Sequence, residues 1–283
     1  MIPLTSWAVR VEDFLAAFFL EILMPIKKKK KRTRIVVGTN SLTEMQYPAY
    51  TNHCQFWFRL GRSYPEVDFI ISNPARMSID RMRNMTARVA LEASADYILF
   101  LDDDVIVNPN YGLKQLLDCK ADVAAGKICV RGYPFDYMSF SRDKEQGLVI
   151  DKELPRTGIV NKEAVGFSFA LLKVEPLSHL REPYFMTGPN FTEDVYYCIK
   201  LKQLNPDAKI CINCECECGH ILWPEVIHEA NRDAYKKYFE MLNKVTPVDK
   251  NGPGLSASSV NRKDRDAEYL AMVKHETKSR KRA

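Results

Sequence analysis

Short apolar segments alternate with amphipathic helical segments through the first half of the chain, and this alternation limits the fold more than any other feature. "RIVVGTN", "VDFIIS" and "YILFL" read as strands. "YTNHCQFWFRL" and "SIDRMRNMTARVALEAS" read as the helices between them, the second with Ile79, Met82, Met85, Val89 and Ala93 at helical spacing. Strands alternating with helices imply a parallel sheet with helices on its faces. "ADVAAGKICV", "VGFSFALLKV" and "KICINCECECGHI" read as further strands, and "YGLKQLLD" as a short helix. "TEDVYYCIKLKQL" reads as a helix capped by Thr192. Residues 131–163 are polar and aromatic with weak periodicity, so they read as one long loop.

In open α/β sheets, ligands bind outside the carboxyl ends of the strands. "LFLDDDVIV" puts Asp102, Asp103 and Asp104 at such an end. Adjacent carboxylates repel unless something positive sits between them. A hard divalent cation is the natural partner, and Mg²⁺ or Mn²⁺ usually keeps substrate phosphates in its shell. An extended or tightly turning segment points Asp102 and Asp104 the same way and Asp103 elsewhere. The plainer alternative is a surface turn with helix-capping acids.

Glu193 and Asp194 open the helix after Thr192. The helix dipole alone favours acids there. At the mouth of a site, the same carboxylates would take a proton from an acceptor hydroxyl. In "CECECGHI" a regular strand would place Cys214, Cys216, Cys218 and His220 on one face. A zinc site is one reading, but a straight strand cannot wrap four ligands around a metal, and the spacing lacks a second ligand pair across a loop. The other reading is packing cysteines with a lone imidazole at the strand end. Arg83 and Asn84 lie on the helix leading into the Asp strand, where an arginine could meet a diphosphate.

In this order, the segments resemble the family-two-like glycosyltransferases of the GT-A fold. "RNMTARVALEASADYILFLDDDVIV" is similar to their R-N-x-A/G-I stretch followed by a strand ending in D-x-D. "VGFSFALLKVEPL" and "TEDVYYCIKLKQ" resemble the following strand and the E-D helix, with Lys202 where arginine is usual. The resemblance covers residues 33–230. It implies an α/β fold: a GT-A-like mixed, mostly parallel sheet flanked by helices in one main domain. It also implies a nucleotide-sugar donor, with Asp102, Asp103, Thr39, Arg83 and Asn84 toward the nucleotide. Asp104, Asp102 and His220 would hold Mn²⁺ or Mg²⁺, and Asp194 with Glu193 would act as base in an inverting transfer. A nucleotidyltransferase is a competing reading, although "VVGTNSLTE" lacks a Gly-rich phosphate loop. A non-catalytic nucleotide-binding protein is another.

The 283 residues divide into an amphipathic helix and polybasic linker over 1–32, the main domain over 33–245 and an extension over 246–283. The net charge of +5 is concentrated in "KKKKKRTR" and the terminal "KSRKRA". Such runs suit DNA with a hydroxylated base, or a membrane-proximal lipid or polysaccharide, as acceptor, and equally suit plain solvation. Trp7, Val11, Phe14, Leu15, Phe18 and Ile22 form the apolar stripe of the first helix. That stripe could lie on a membrane surface, on the domain or on a second subunit, and a start at Met24 would omit it. No stretch reads as a secretory leader, so the expected location is cytoplasmic, with peripheral membrane attachment open.

Overall fold

The computed structural model describes residues 32–41, 45–222 and 225–245. The amphipathic helix and lysine run expected over residues 1–31, and the extension expected over 246–283, lie outside the described residues.

Strand β1 (Thr33–Gly38) shows why both sheet faces are covered. Successive side chains alternate between faces. Ile35, Val36 and Val37 are nevertheless all fully buried. Ile35 and Val37 join Leu99 and Leu101 of β3 (Tyr97–Leu101) under helices α1 (Tyr47–Ser63) and α3 (Gly112–Asp118), through Phe56, Leu60, Leu113 and Leu116. Val36, Ile98 and Phe100 face the other way, toward Ala87 and Ala90 of α2 (Ile79–Glu92) and Tyr197 and Leu201 of α4 (Glu193–Leu204). Each large apolar side chain so buried contributes about 1.5–3 kcal/mol.

The central sheet has seven strands in the order β2-β1-β3-β10-β5-β11-β8. The remaining members are β2 (Val67–Ser72), β5 (Val123–Lys127), β8 (Ile159–Asn161), β10 (Phe169–Lys173) and β11 (Ile210–Glu217). β2, β1, β3, β5 and β11 run one way, and β10 and β8 run against them. This is the mixed, mostly parallel sheet flanked by helices that the sequence resemblance implies. Gly38 ends β1 against α2. A side-chain carbon there would stand 2.8 Å from Thr86 Cγ2, so only glycine lets the chain run on to Thr39 and Asn40 at the sheet's carboxyl edge.

Two small sheets flank the main one: β13 (Glu225–Ile227), β12 (Gly219–Leu222) and β4 (Val105–Ile106), and β7 (Gly147–Asp151), β6 (Tyr137–Asp143) and β9 (Ala164–Val165). A helix, α5 (Glu229–Val245), follows. Three sequence expectations are corrected here. Residues 131–163 are not one loop, since they carry the β6–β7 hairpin and the edge strand β8. The strand expected over 165–174 breaks at Gly166 into β9 and β10. A side-chain carbon at Gly166 would stand 2.9 Å from Met138 Cβ, and its N–H donates to Met138 O at 2.8 Å. The last strand breaks between β11 and β12, with a register shift before Glu217. Cys214 therefore packs with one core cluster and Cys216 and Cys218 with the other, instead of lining one face with His220.

Among the described residues no helix is long and apolar enough to cross a membrane.

Candidate active site at the carboxyl edge of the sheet

The chain turns sharply where β3 ends. The Asp102 N–H donates to Ser168 O at 2.9 Å, and the Val105 N–H donates back to Asp102 O at 3.3 Å. The turn gives the three carboxylates different partners.

Asp102 meets Arg83, whose Nη2 lies 3.1 Å from Oδ2, and Asn40 Nδ2 donates to its Oδ1 at 3.3 Å. Asp103 takes a hydrogen bond from the Ser41 side chain. Asp104 Oδ2 lies 2.7 Å from Arg131 Nη1 and 3.5 Å from His220 Nε2. Asp102 and Asp104 thus engage different cations. Burial pushes Asp102 and Asp103 above the usual carboxylate range; Arg83 opposes this at Asp102 and Ser41 at Asp103, without cancelling it. Burial acts the same way on Asp104, but His220 and Arg131 outweigh it and bring Asp104 below the usual range.

His220 reaches Asp104 through strand pairing. β12 runs antiparallel to β4 with His220 opposite Val105, and the Ile221 N–H donates to Asp104 O at 2.9 Å. The ring is anchored from behind, with Nδ1 lying 2.8 Å from Cys129 O. A carbonyl accepts only from N–H, so Nδ1 is assigned a proton, and Nε2 is the nitrogen left facing Asp104. Anchoring one nitrogen in this way is how metal-binding histidines are oriented. Among the described residues no three His, Cys, Asp or Glu side chains converge into a metal cage. Mn²⁺ and Mg²⁺ need only one or two carboxylates from a protein and fill the rest of the shell with water and phosphate oxygens, so Asp104, with His220 beside it, would suffice to hold one.

Arg83 organises the second half of the site. It is buried, with Cζ 5.0 Å from the Phe100 ring centre and 5.4 Å from that of Phe167. Its Nε lies 3.2 Å from Glu193 Oε1. Burial disfavours the guanidinium charge, but Asp102, Glu193 and Asp194 outweigh it and raise the Arg83 pKa. One cation cannot fully neutralise two carboxylates. Burial therefore dominates at Glu193, which is pushed up to about 7 against the pull of Arg83, with Asp194 adding to the rise.

The Asn84 amide bonds to backbone groups on two sides. Its Oδ1 accepts from the Tyr184 and Phe185 N–H groups at 2.8 and 3.2 Å, and its Nδ2 donates to Asp80 O and Phe185 O at 2.8 and 2.6 Å. Those four bonds exhaust the amide. Asn84 therefore secures Phe185, whose ring stands 5.6 Å from that of Phe100 beneath Arg83. Thr39 is buried at the end of β1, its N–H on Ser72 O at 3.2 Å.

Thr192 stands at the N-cap position of α4, but its hydroxyl donates to Asp194 Oδ1 instead of capping the helix backbone. The Val195 N–H donates to the same oxygen at 2.7 Å.

Sequence reasoning missed Asn40, Ser41 and Arg131. Asn40 and Ser41 were within reach of the carboxyl-edge rule, since they directly follow β1. Arg131 gave no signal.

The raised Glu193 pKa has a consequence for stability. From about pH 4.5 to 7 the folded protein holds a proton that the unfolded chain has released. Glu193 thus favours the fold at acid pH, and this contribution is lost as pH rises through about 7. Glu193→Gln is expected to reduce the stability difference between pH 5 and pH 8 by about 2–3 kcal/mol. Urea melts of both proteins at the two pH values measure this, and an unchanged difference would mean that Glu193 is ionised throughout.

No family model matches the chain, and no curated protein matches it. Among solved structures, A197 from STIV is 20% identical with a TM-score of 0.46, over 68% of this chain and 86% of that one. HddC from Yersinia pseudotuberculosis, complexed with GMP-PN, is 11% identical with a TM-score of 0.31, over 74% of this chain and 100% of that one. A glycosyltransferase involved in the glycosylation of the major capsid of PBCV-1 is 12% identical with a TM-score of 0.28, over 52% of this chain and 63% of that one. These are distant likenesses and bear on none of the site's residues.

Proposed function

We propose that the chain is a glycosyltransferase. It would transfer a sugar from a nucleotide-sugar donor to an acceptor hydroxyl and hold Mn²⁺ or Mg²⁺ at Asp104 and His220. The observation that carries this reading is the turn after β3, which sets Asp104 against an imidazole anchored by Cys129 and secures Asp102 to buried Arg83. When bound, the cation supplies charge neutralisation to the departing diphosphate.

The chain's own residues do the rest. Asp102, held by Arg83 and Asn40, would present a fixed carboxylate toward the nucleoside. Asp103 closes the same edge through Ser41. Asp194 and Glu193, at the head of α4, supply the carboxylates that can take the acceptor's proton. The basic ends suit an anionic or membrane-proximal acceptor, either hydroxylated-base DNA or a lipid or polysaccharide.

A panel of nucleotide sugars, incubated with the protein with and without Mn²⁺, tests the reading. Metal-dependent release of a nucleoside diphosphate supports it. Release of pyrophosphate from nucleoside triphosphate and sugar phosphate would assign nucleotidyl transfer instead. Failure to bind any nucleoside diphosphate in the presence of Mn²⁺ would remove both.

His220→Ala is expected to weaken Mn²⁺ binding about 10- to 100-fold. Thermal melts with and without Mn²⁺ separate this from a purely structural role, in which the variant would lose stability and keep its full response to the metal.

A further inference from the structure

Two groups meet Asp104 Oδ2, and they differ in how firmly they are held. His220 is buried, with its far nitrogen on Cys129 O. Arg131 makes the shorter contact, 2.7 Å, yet its side chain is 55% exposed. A side chain on the adjacent Gly132 would meet nothing within 4 Å. The segment is fixed at its root, where the Val130 N–H donates to Asp136 O at 2.9 Å and the Phe135 N–H to Gly132 O at 2.8 Å. The backbone that carries Arg131 is therefore held, and its side chain has room to turn. Arg131 also acts on Asp103, so its charge faces two of the three acids of the turn.

We infer that Arg131 is the resident counter-cation of Asp104, gives way to the divalent cation, and then binds the donor's diphosphate. This rests on the function proposed above. A guanidinium and a metal ion compete for the same carboxylate oxygen and repel each other. In the metal-free protein Arg131 satisfies Asp104 and works against cation binding. An arriving diphosphate gives the released guanidinium anionic oxygens that match its planar fork. Cation and diphosphate then favour each other's binding, because each removes the other's obstacle, and the coupling is reciprocal. An ordinary surface ion pair makes no such link and contributes little.

Titration calorimetry on the full chain tests this with MnCl₂ alone, and then with UDP, GDP, CDP and ADP at saturating Mn²⁺. The proteins are the parent, Arg131→Met and Arg131→Lys. Arg131→Met is expected to bind Mn²⁺ alone about 5-fold or more tightly than the parent. It is expected to bind the preferred diphosphate about 10- to 100-fold more weakly. Arg131→Lys keeps the charge without the fork and should fall between. If the parent binds both ligands and Arg131→Met leaves both affinities unchanged, or weakens both, Arg131 is only an ion-pair partner. The inference then falls, while the glycosyltransferase reading stands. If the parent binds neither Mn²⁺ nor any of the four diphosphates, both fall.

Discussion

Asp104→Asn is expected to abolish Mn²⁺-dependent binding of nucleoside diphosphate and, with it, turnover. The amide keeps the shape of the carboxylate but not its charge, and a hard cation needs the charge. Only His220 would remain of the pair. The effect on folding should be small. Asp104 is stabilised as a carboxylate by His220 and Arg131, so its loss costs something at neutral pH, and that contribution fades as pH falls through its lowered pKa. Arg131 is half-exposed, however, which holds the cost of losing the pair to about 1 kcal/mol or less. Relief of repulsion among the three acids is not the governing effect, because each acid has its own partner. Asp103→Asn is the control. Asp103 bonds to Ser41 and burial raises its pKa, so its replacement should leave metal-dependent binding nearly intact. Calorimetric titration of both variants with diphosphate and Mn²⁺ decides the matter. Equal losses at the two positions would mean that the turn presents a different carboxylate to the metal.

The sheet was legible in the sequence because its central strands are apolar on both faces. Ile35 to Val37 and Ile98 to Leu101 can be satisfied only by helices above and below. The β6–β7 hairpin was not legible, and the reason is chemical. Ser139 and Ser141, not apolar residues, stand beside its partner strand, and both hydroxyls donate to Asp151, at 2.5 and 2.6 Å, with Lys162 2.8 Å from the same carboxylate. A strand whose close contacts are polar leaves no hydrophobic period to read. The breaks at Gly166 and before β12 were hidden for another reason. They depend on contacts with Met138 and with β4, which belong to other parts of the chain.

The site divides in the same way. A run of acids at a strand end is local information, and so is a pair of acids opening a helix. The meeting of His220 with Asp104 is not local, since it requires β12 to leave the main sheet and pair with β4. Arg83 was visible as a charge preceding the Asp strand, but its position between Asp102 and Glu193, over two aromatic rings, depends on α4 and on β3. Arg131 lies in a segment with no period and no motif, and only the folded chain brings it to Asp104.

The second large effect is expected at Asp194, and the geometry says why asparagine is the right replacement. Asp194 Oδ1 is fully engaged, with the Thr192 hydroxyl and the Val195 N–H at 2.7 Å both donating to it. These bonds fix the rotamer. The other oxygen, Oδ2, faces Gly166, where a side-chain carbon would stand 3.5 Å away, and Asp194 is buried. In Asp194→Asn the amide oxygen can take the place of Oδ1 and keep both bonds, while the NH₂ group takes the place of Oδ2. An amide nitrogen cannot accept a proton. The substitution therefore removes basicity at one atom and little else. Donor and metal affinity should survive, because Asp104, His220 and Arg83 are untouched. Transfer to the acceptor should slow by about 10²- to 10⁴-fold, the usual worth of a positioned general base. Glu193→Gln should cost less, since the Glu193 carboxylate is engaged by Arg83. Single-turnover transfer at saturating donor, measured beside donor affinity for each variant, separates the two roles. A larger loss at Glu193 than at Asp194 would move the base to the carboxylate with the near-neutral pKa. Near-normal transfer in Asp194→Asn would leave Asp194 as an anchor for the first turn of α4 and nothing more.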